Sequence, residues 1–177
     1  KNNLSDDYGL CVIFSANVIL CTGGPAVIYA DTVYPVGVTG ASSLAYYAGA
    51  TFCNMAEWQY GLASVDFRWN VSGTYQQVLP RYIAVDADGN EREFLTEYTG
   101  DDLKTAEYEF LKGYEWPFDS RKLNGSSMVD IAVYTETVIK GNKVYMDFTR
   151  NPSFLKDMDF SRLPPVAREY LEKSGAL

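Results

Sequence analysis

The chain opens on two β-rich runs, 8–14 and 17–21, joined by Ser15-Ala16; the second is almost wholly apolar and ends in Thr22-Gly23-Gly24-Pro25. An apolar run stopped by a glycine turn reads as a strand buried on both faces, as in α/β or layered sheets. Leu44, Ala45 and Ala48 then fall at helical spacing, which predicts a short helix over 41–48 closed by Gly49, with strands from Thr51 onward. From about Ser64 the texture changes to aromatic, alternating segments over 65–71, 75–79 and 81–85. The last turns through Asp86-Ala87-Asp88-Gly89-Asn90 into 91–95, the pattern of a hairpin in an antiparallel layer.

Three helices follow in the pattern. Residues 101–112 place Leu103, Ala106, Phe110 and Leu111 on one face, with acidic residues in the first turn and Gly113 at the end. Ser127 with Asp130 reads as a capping box, and Met128, Ile131, Ala132, Val138 and Ile139 form an inward stripe that stops at Gly141. A strand is expected over 143–148. Pro164 and Pro165 open a last helix to about Lys173, with Val166, Tyr170 and Leu171 inward. There is no internal repeat.

Composition narrows the chemistry. With 177 residues, 47% of them apolar, the chain buries a core without help from disulfides or metal. Fifteen basic residues against 23 acidic ones leave a net charge of −8, which disfavours nucleic acid and anionic membranes as partners. The absence of histidine removes Ser-His and Cys-His dyads and His-ligated zinc. Cys11, Cys21 and Cys53 are an odd count without a Cys-x-x-Cys pair, read as reduced thiols in a cytoplasm. The apolar stretch 10–21, interrupted by Ser15 and Asn17, is too short for a spanning helix and lacks the basic lead of a signal peptide. Since the chain starts at Lys1 and at once enters a sheet pattern, a piece of a longer protein is expected.

Two local patterns have ordinary explanations. Asp86, Asp88, Asn90 and Glu97 occupy calcium-loop spacing, but the position that needs glycine is Glu91, so a plain hairpin turn is expected. The Gly23-Gly24 pair lacks the wider glycine pattern of a phosphate loop. Fourteen tyrosines exceed the needs of a core this size, which suits a cleft or an interdomain surface.

Taken in order, several segments resemble the succinate dehydrogenase and fumarate reductase flavoprotein family. That family's Ala-Lys-x-Val-Ile-Leu-Ala-Thr-Gly-Gly is similar to 16–24 here, and its Thr-Gly-Asp-Gly, helix, Ala-Gly-Ala and Asp-Met-Glu-Phe-x-Gln-Phe-His-Pro-Thr are similar to 39–42, 48–50 and 54–63. Val85-Asp86-Ala87-Asp88-Gly89 with Arg92, Phe94 and Glu97 resembles Val-Asn-x-x-Gly-x-Arg-Phe-x-x-Glu, allowing one inserted residue. Residues 129–136 and 143–148 resemble the substrate-cap helix and the strand after it.

The resemblance implies an α+β fold: a partial FAD-binding domain over 1–63 and a substrate-capping domain over 64–177. It implies FAD contacts at Thr22, Gly23, Gly24, Thr39 and Gly40. Thr74, Tyr75, Gln76, Gln59 and Arg121 become the candidates for facing flavin and substrate. Family groups are replaced at four positions: its His falls on Gly61, its proton-donating Arg near Ser126, the Glu of its Thr-Glu pair on Tyr75, and an Asp on Ala41. Fumarate reduction needs a carboxylate clamp and a proton donor, so the expected activity is FAD-dependent oxidoreduction of a different small molecule. The chain would work with the rest of the FAD-binding domain, be inactive and flavin-free alone, and self-associate through its uncovered apolar run. The alternative is a non-catalytic binding or assembly module that keeps the cap fold.

Overall fold

Tyr82, Ile83 and Ala84 are all buried, so the strand they belong to is covered on both faces, and it forms the centre of the sheet. This strand, β1 (Arg81–Val85), pairs antiparallel with β2 (Glu91–Glu93) on one side and β3 (Lys143–Asp147) on the other. The computed structural model describes residues 8–24, 32, 40–55 and 61–175. It divides the chain into two units, Lys1–Ala30 with Tyr34–Cys53, and Asp31–Val33 with Asn54–Leu177. The described part is α+β.

In the larger unit the hairpin forms as its Asp-Gly turn predicts. The Asp86 carboxylate accepts the backbone N–H groups of Asp88 and Asn90 and the Asn90 side-chain amide, so the Asp86 and Asn90 side chains are tied into the turn. Among the described residues no group of three or more acidic, cysteine or histidine side chains is placed to hold a metal.

Five α-helices among the described residues of this unit accompany the sheet. They are α2 (Thr74–Gln77), α3 (Leu95–Thr99), α4 (Asp102–Lys112), α5 (Ser127–Tyr134) and α6 (Pro165–Ser174), with one π-helical stretch, Thr135–Ile139, continuing α5. Of these, α2, α3 and α5 all pack on α4. The Asp101 side chain caps α4 by accepting the Lys104 N–H at 2.8 Å. Two apolar clusters result. Tyr82, Ala84, Phe94, Leu95, Val129 and Ala132 join sheet, α3 and α5, while Ala106, Phe110, Phe154, Leu163, Ala167 and Leu171 join α4 to α6.

Several expectations are corrected. The segment 75–79 is no strand: the carbonyl of Gly73 accepts from Gln76 and Gln77, starting α2, and Leu79 at φ 50° ends it. Residues 65–71 curl into a loop in which Ser64 Oγ accepts the Trp69 N–H, with Ala63 and Asn70 forming an isolated bridge. The second hairpin strand stops at Glu93, and Leu95 begins α3. Ser127 makes no capping box: its Oγ accepts the Asp119 N–H at 2.9 Å, and Asp130 is paired with Lys112. Val138 and Ile139 are exposed because the π turn shifts the helical register and directs Glu136 inward. Val166 is exposed as well; Ala167 takes the inward place.

In the smaller unit the predicted helix is present as α1 (Ser42–Tyr47). Residues 8–24 hold no strand, nor do 51–55, because none of these described residues has a ladder partner. Leu10, Val12, Ile13, Phe14, Val18 and Ile19 are each at least 76% exposed. No helix among the described residues is long and apolar enough to cross a membrane.

Candidate functional site

The glycine turn after 17–21 meets the start of the α1 segment. Thr22 Oγ1 donates to the carbonyl of Gly40, 18 residues on. A Cβ on Gly40 would lie 2.5 Å from the Gly24 carbonyl carbon and 2.7 Å from the Gly23 oxygen, so only glycine permits this approach. Gly23, at φ 75°, has nothing within 4 Å of its would-be Cβ. Thus Thr22, Gly23, Gly24 and Gly40, drawn from two separate motifs, come together. Thr39 and Gln59 lie outside the described residues.

In the larger unit the candidates divide. Thr74 and Tyr75 are exposed at the start of α2, the Tyr75 ring meeting Phe148 edge-on at 6.1 Å. Gln76, next in sequence, is fully buried: its Oε1 accepts from the Tyr82 hydroxyl at 2.8 Å and its Nε2 donates to the Val71 carbonyl at 2.7 Å. Gln76 is therefore corrected from a ligand-facing residue to the anchor of α2. Arg121 is exposed and its guanidinium is engaged by Asp119 at 2.8 to 3.2 Å, with hydrogen bonds holding the Asp119 carboxyl at about 2.

Two positions at which the chain departs from the pattern it resembles are sterically closed. Gly61 bridges Pro117, and a Cβ there would stand 2.9 Å from the Trp116 carbonyl oxygen and 3.0 Å from its ring, leaving no room for an imidazole. Ser126 is fully buried and donates to Glu115 Oε2 at 2.5 Å, a slot too small for an arginine. Arg92, Phe94 and Glu97 serve structure: Arg92 bonds Glu97 and Glu136, while Phe94 lies in the core.

The sequence reading missed a buried polar group behind these residues. Lys112 and Asp130 form an ion pair with side chains 1% and 0% exposed. Burial raises the Asp130 carboxyl to about 6 despite the Lys112 charge, and burial lowers Lys112. Lys112 also donates to the Glu115 carbonyl at 3.3 Å. Glu109 is fully buried, and burial drives its carboxyl well above the usual range. Tyr82 is raised by burial and by the nearby charge of Glu109. Ala106, Glu109 and Lys112 recur every three residues on the apolar side of the predicted helix, a signal available in the pattern.

A shallow concavity on the sheet is lined by Ile83, Val85, Tyr145 and Asp147 among others. The nearby Arg81 is spent on Glu93 and Asp147 at 2.7 and 3.1 Å. Compared with protein-family models, curated proteins and solved structures, the chain matches none.

Proposed function

We propose that this chain is the capping part of an FAD-dependent oxidoreductase, with a strip of the flavin-binding domain, and that its substrate is neither fumarate nor succinate. The observation that carries the reading is the junction of Thr22 with Gly40. Two glycine motifs far apart in sequence meet there, and the space that a Gly23 side chain would fill is open. Thr22, Gly23, Gly24 and Gly40 would hold FAD there, with Thr39 beside them in sequence. FAD supplies hydride transfer when bound. The cap shapes the substrate pocket and excludes water, and exposed Thr74 and Tyr75 are its candidates for touching substrate.

The exclusion of fumarate and succinate rests on what is missing. No imidazole fits at Gly61 and no guanidinium at Ser126, so the chain offers neither part of the family's clamp nor its proton donor at these positions. The remainder of the flavin-binding domain is the proposed partner, in the cytoplasm, covering the exposed run 8–20.

The test is the absorption spectrum of the intact natural protein, followed by an assay with reduced viologen. The expected result is oxidised-flavin absorbance in stoichiometric amount, with fumarate turnover no faster than free flavin. A colourless intact protein that releases no flavin on denaturation would refute the flavoenzyme and leave a binding module. Brisk fumarate turnover would refute the substrate assignment alone. This chain by itself is expected to be colourless and self-associated, and sedimentation as a strict monomer would count against a covering partner for 8–20.

A further inference from the structure

Glu109 sits in the last turn of α4, fully buried, and neither carboxyl oxygen accepts a hydrogen bond from a described residue. The surrounding elements bring no cation to it. From α4 itself Lys112 is committed to Asp130 of α5. From β1 comes the Tyr82 phenol, whose hydroxyl donates to Gln76. The buried polar residues of α2 are the uncharged Gln76 and Gln77. On α3, Glu97 and Tyr98 bond Arg92 and Glu136, and Thr99 bonds Thr105 of α4. Residues 153–155, which also pack on α4, carry no ionisable side chain. On α6, Arg168 and Lys173 are paired with Glu172 and Glu169, leaving Tyr170, whose ring meets Phe110.

We propose that Glu109 is a pH-operated latch: as a neutral acid it lets α4 close on β1 and α2, and its ionisation opens that interface. A neutral carboxyl loses little by burial compared with a carboxylate, which in this place has no counter-charge and no donor. The proton leaves to solvent as the helix opens. Gln76 ties α2 to β1 through Tyr82, so α2 stays in place while opening strips α4 from the segment that carries Thr74 and Tyr75. Burial raises the folded value above that of the unfolded chain, so the folded state holds a proton the unfolded state has lost. Stability therefore falls as pH rises from the unfolded value of about 4.3 toward the raised one, by about tenfold in the folding constant per pH unit for one proton.

The test is infrared spectroscopy of the whole chain at about pH 7.5, with amide exchange in α2 and α4 followed from about pH 6 to about pH 9. A protonated-carboxyl band at neutral pH is expected, retained in Asp130→Asn and lost in Glu109→Gln. Protection in α2 and α4, corrected for intrinsic exchange, should fall with pH in the native chain and hold level in Glu109→Gln. No such band in the native chain, or equal pH dependence in the native chain and Glu109→Gln, overturns the latch. If Glu109→Gln does not fold, the native chain decides: band and protection vanishing together on alkalinisation support the latch, and protection independent of the band overturns it.

Discussion

Three carboxylates of the larger unit have almost no contact with solvent and end in different states. Glu136 receives bonds from Arg92, Tyr98, Lys140 and Asn142 at 2.7 to 3.0 Å; burial opposes its charge, but these donors win and hold it at about 2. Asp130 has the single cation Lys112 on one oxygen and no described partner on the other, and burial lifts it to about 6. Glu109 has no described donor, and burial drives it well above both. Solvent contact is nil or nearly so for all three, but donors and depth change together: Glu136 lies just beneath the partly exposed Arg92 and Lys140, Asp130 lies deeper with one cation, and Glu109 lies deepest with none, so both set the charge. The region around Glu136 is a joint; the region around Glu109 is a place where the fold can be opened.

The largest change should come from Lys112→Met. Removing the cation leaves Asp130 buried without a counter-charge, and about 4 kcal/mol of stability should be lost at neutral pH. The deficit should shrink toward acid, where Asp130 takes up a proton. Adding Asp130→Leu should restore most of the loss, since a matched apolar pair needs no counter-charge. Urea unfolding of the three chains measures this; a double variant as unstable as the single would mean that the pair contributes through something other than charge.

Next comes Glu136→Ala, at about 3 kcal/mol, less than five lost bonds would suggest because Arg92 and Lys140 are partly exposed and regain water. Its pH signature is opposite in sign to that of Glu109. A carboxyl lowered when folded stabilises above its unfolded value of about 4.3, and that contribution disappears as pH falls toward about 2. The native chain should lose stability through this acid window and Glu136→Ala should lose less. Equal acid slopes would mean the donor set does not govern Glu136.

How much of this was readable beforehand depended on range. The Asp88-Gly89 turn, the caps and stops of α4 and the Pro165 start of α6 rest on neighbours within a few residues, and those elements appear where the pattern puts them. The strands expected over 8–14 and 17–21 needed partners elsewhere, and none is present among the described residues. The stripe on α5 failed at Val138 and Ile139 because bonds from β2, α3 and residues 140–142 draw Glu136 inward, which helical periodicity cannot foresee. The glycine motifs singled out the segments of Thr22 and Gly40, which the fold brings into contact. Gln76 was misplaced because its role depends on Tyr82, a residue of β1.

The smallest effect separates geometry from charge within the Glu109 region itself. Tyr82→Phe keeps the ring against Phe94, 6.1 Å away and edge-on, and removes only the hydroxyl that donates to Gln76 Oε1. Gln76 still donates to the Val71 carbonyl, so α2 keeps one of its two anchors while a buried carbonyl oxygen loses its donor. The cost should be about 1–2 kcal/mol. Burial keeps the phenol neutral far into alkali, so between about pH 5 and about pH 8 that cost should be constant, unlike the falling stability that Glu109 imposes. Unfolding curves at several pH values should run parallel for the native chain and Tyr82→Phe, offset by a fixed amount. Converging curves would show that the hydroxyl itself stabilises one charge state of Glu109, and the carboxyl would then have a donor after all.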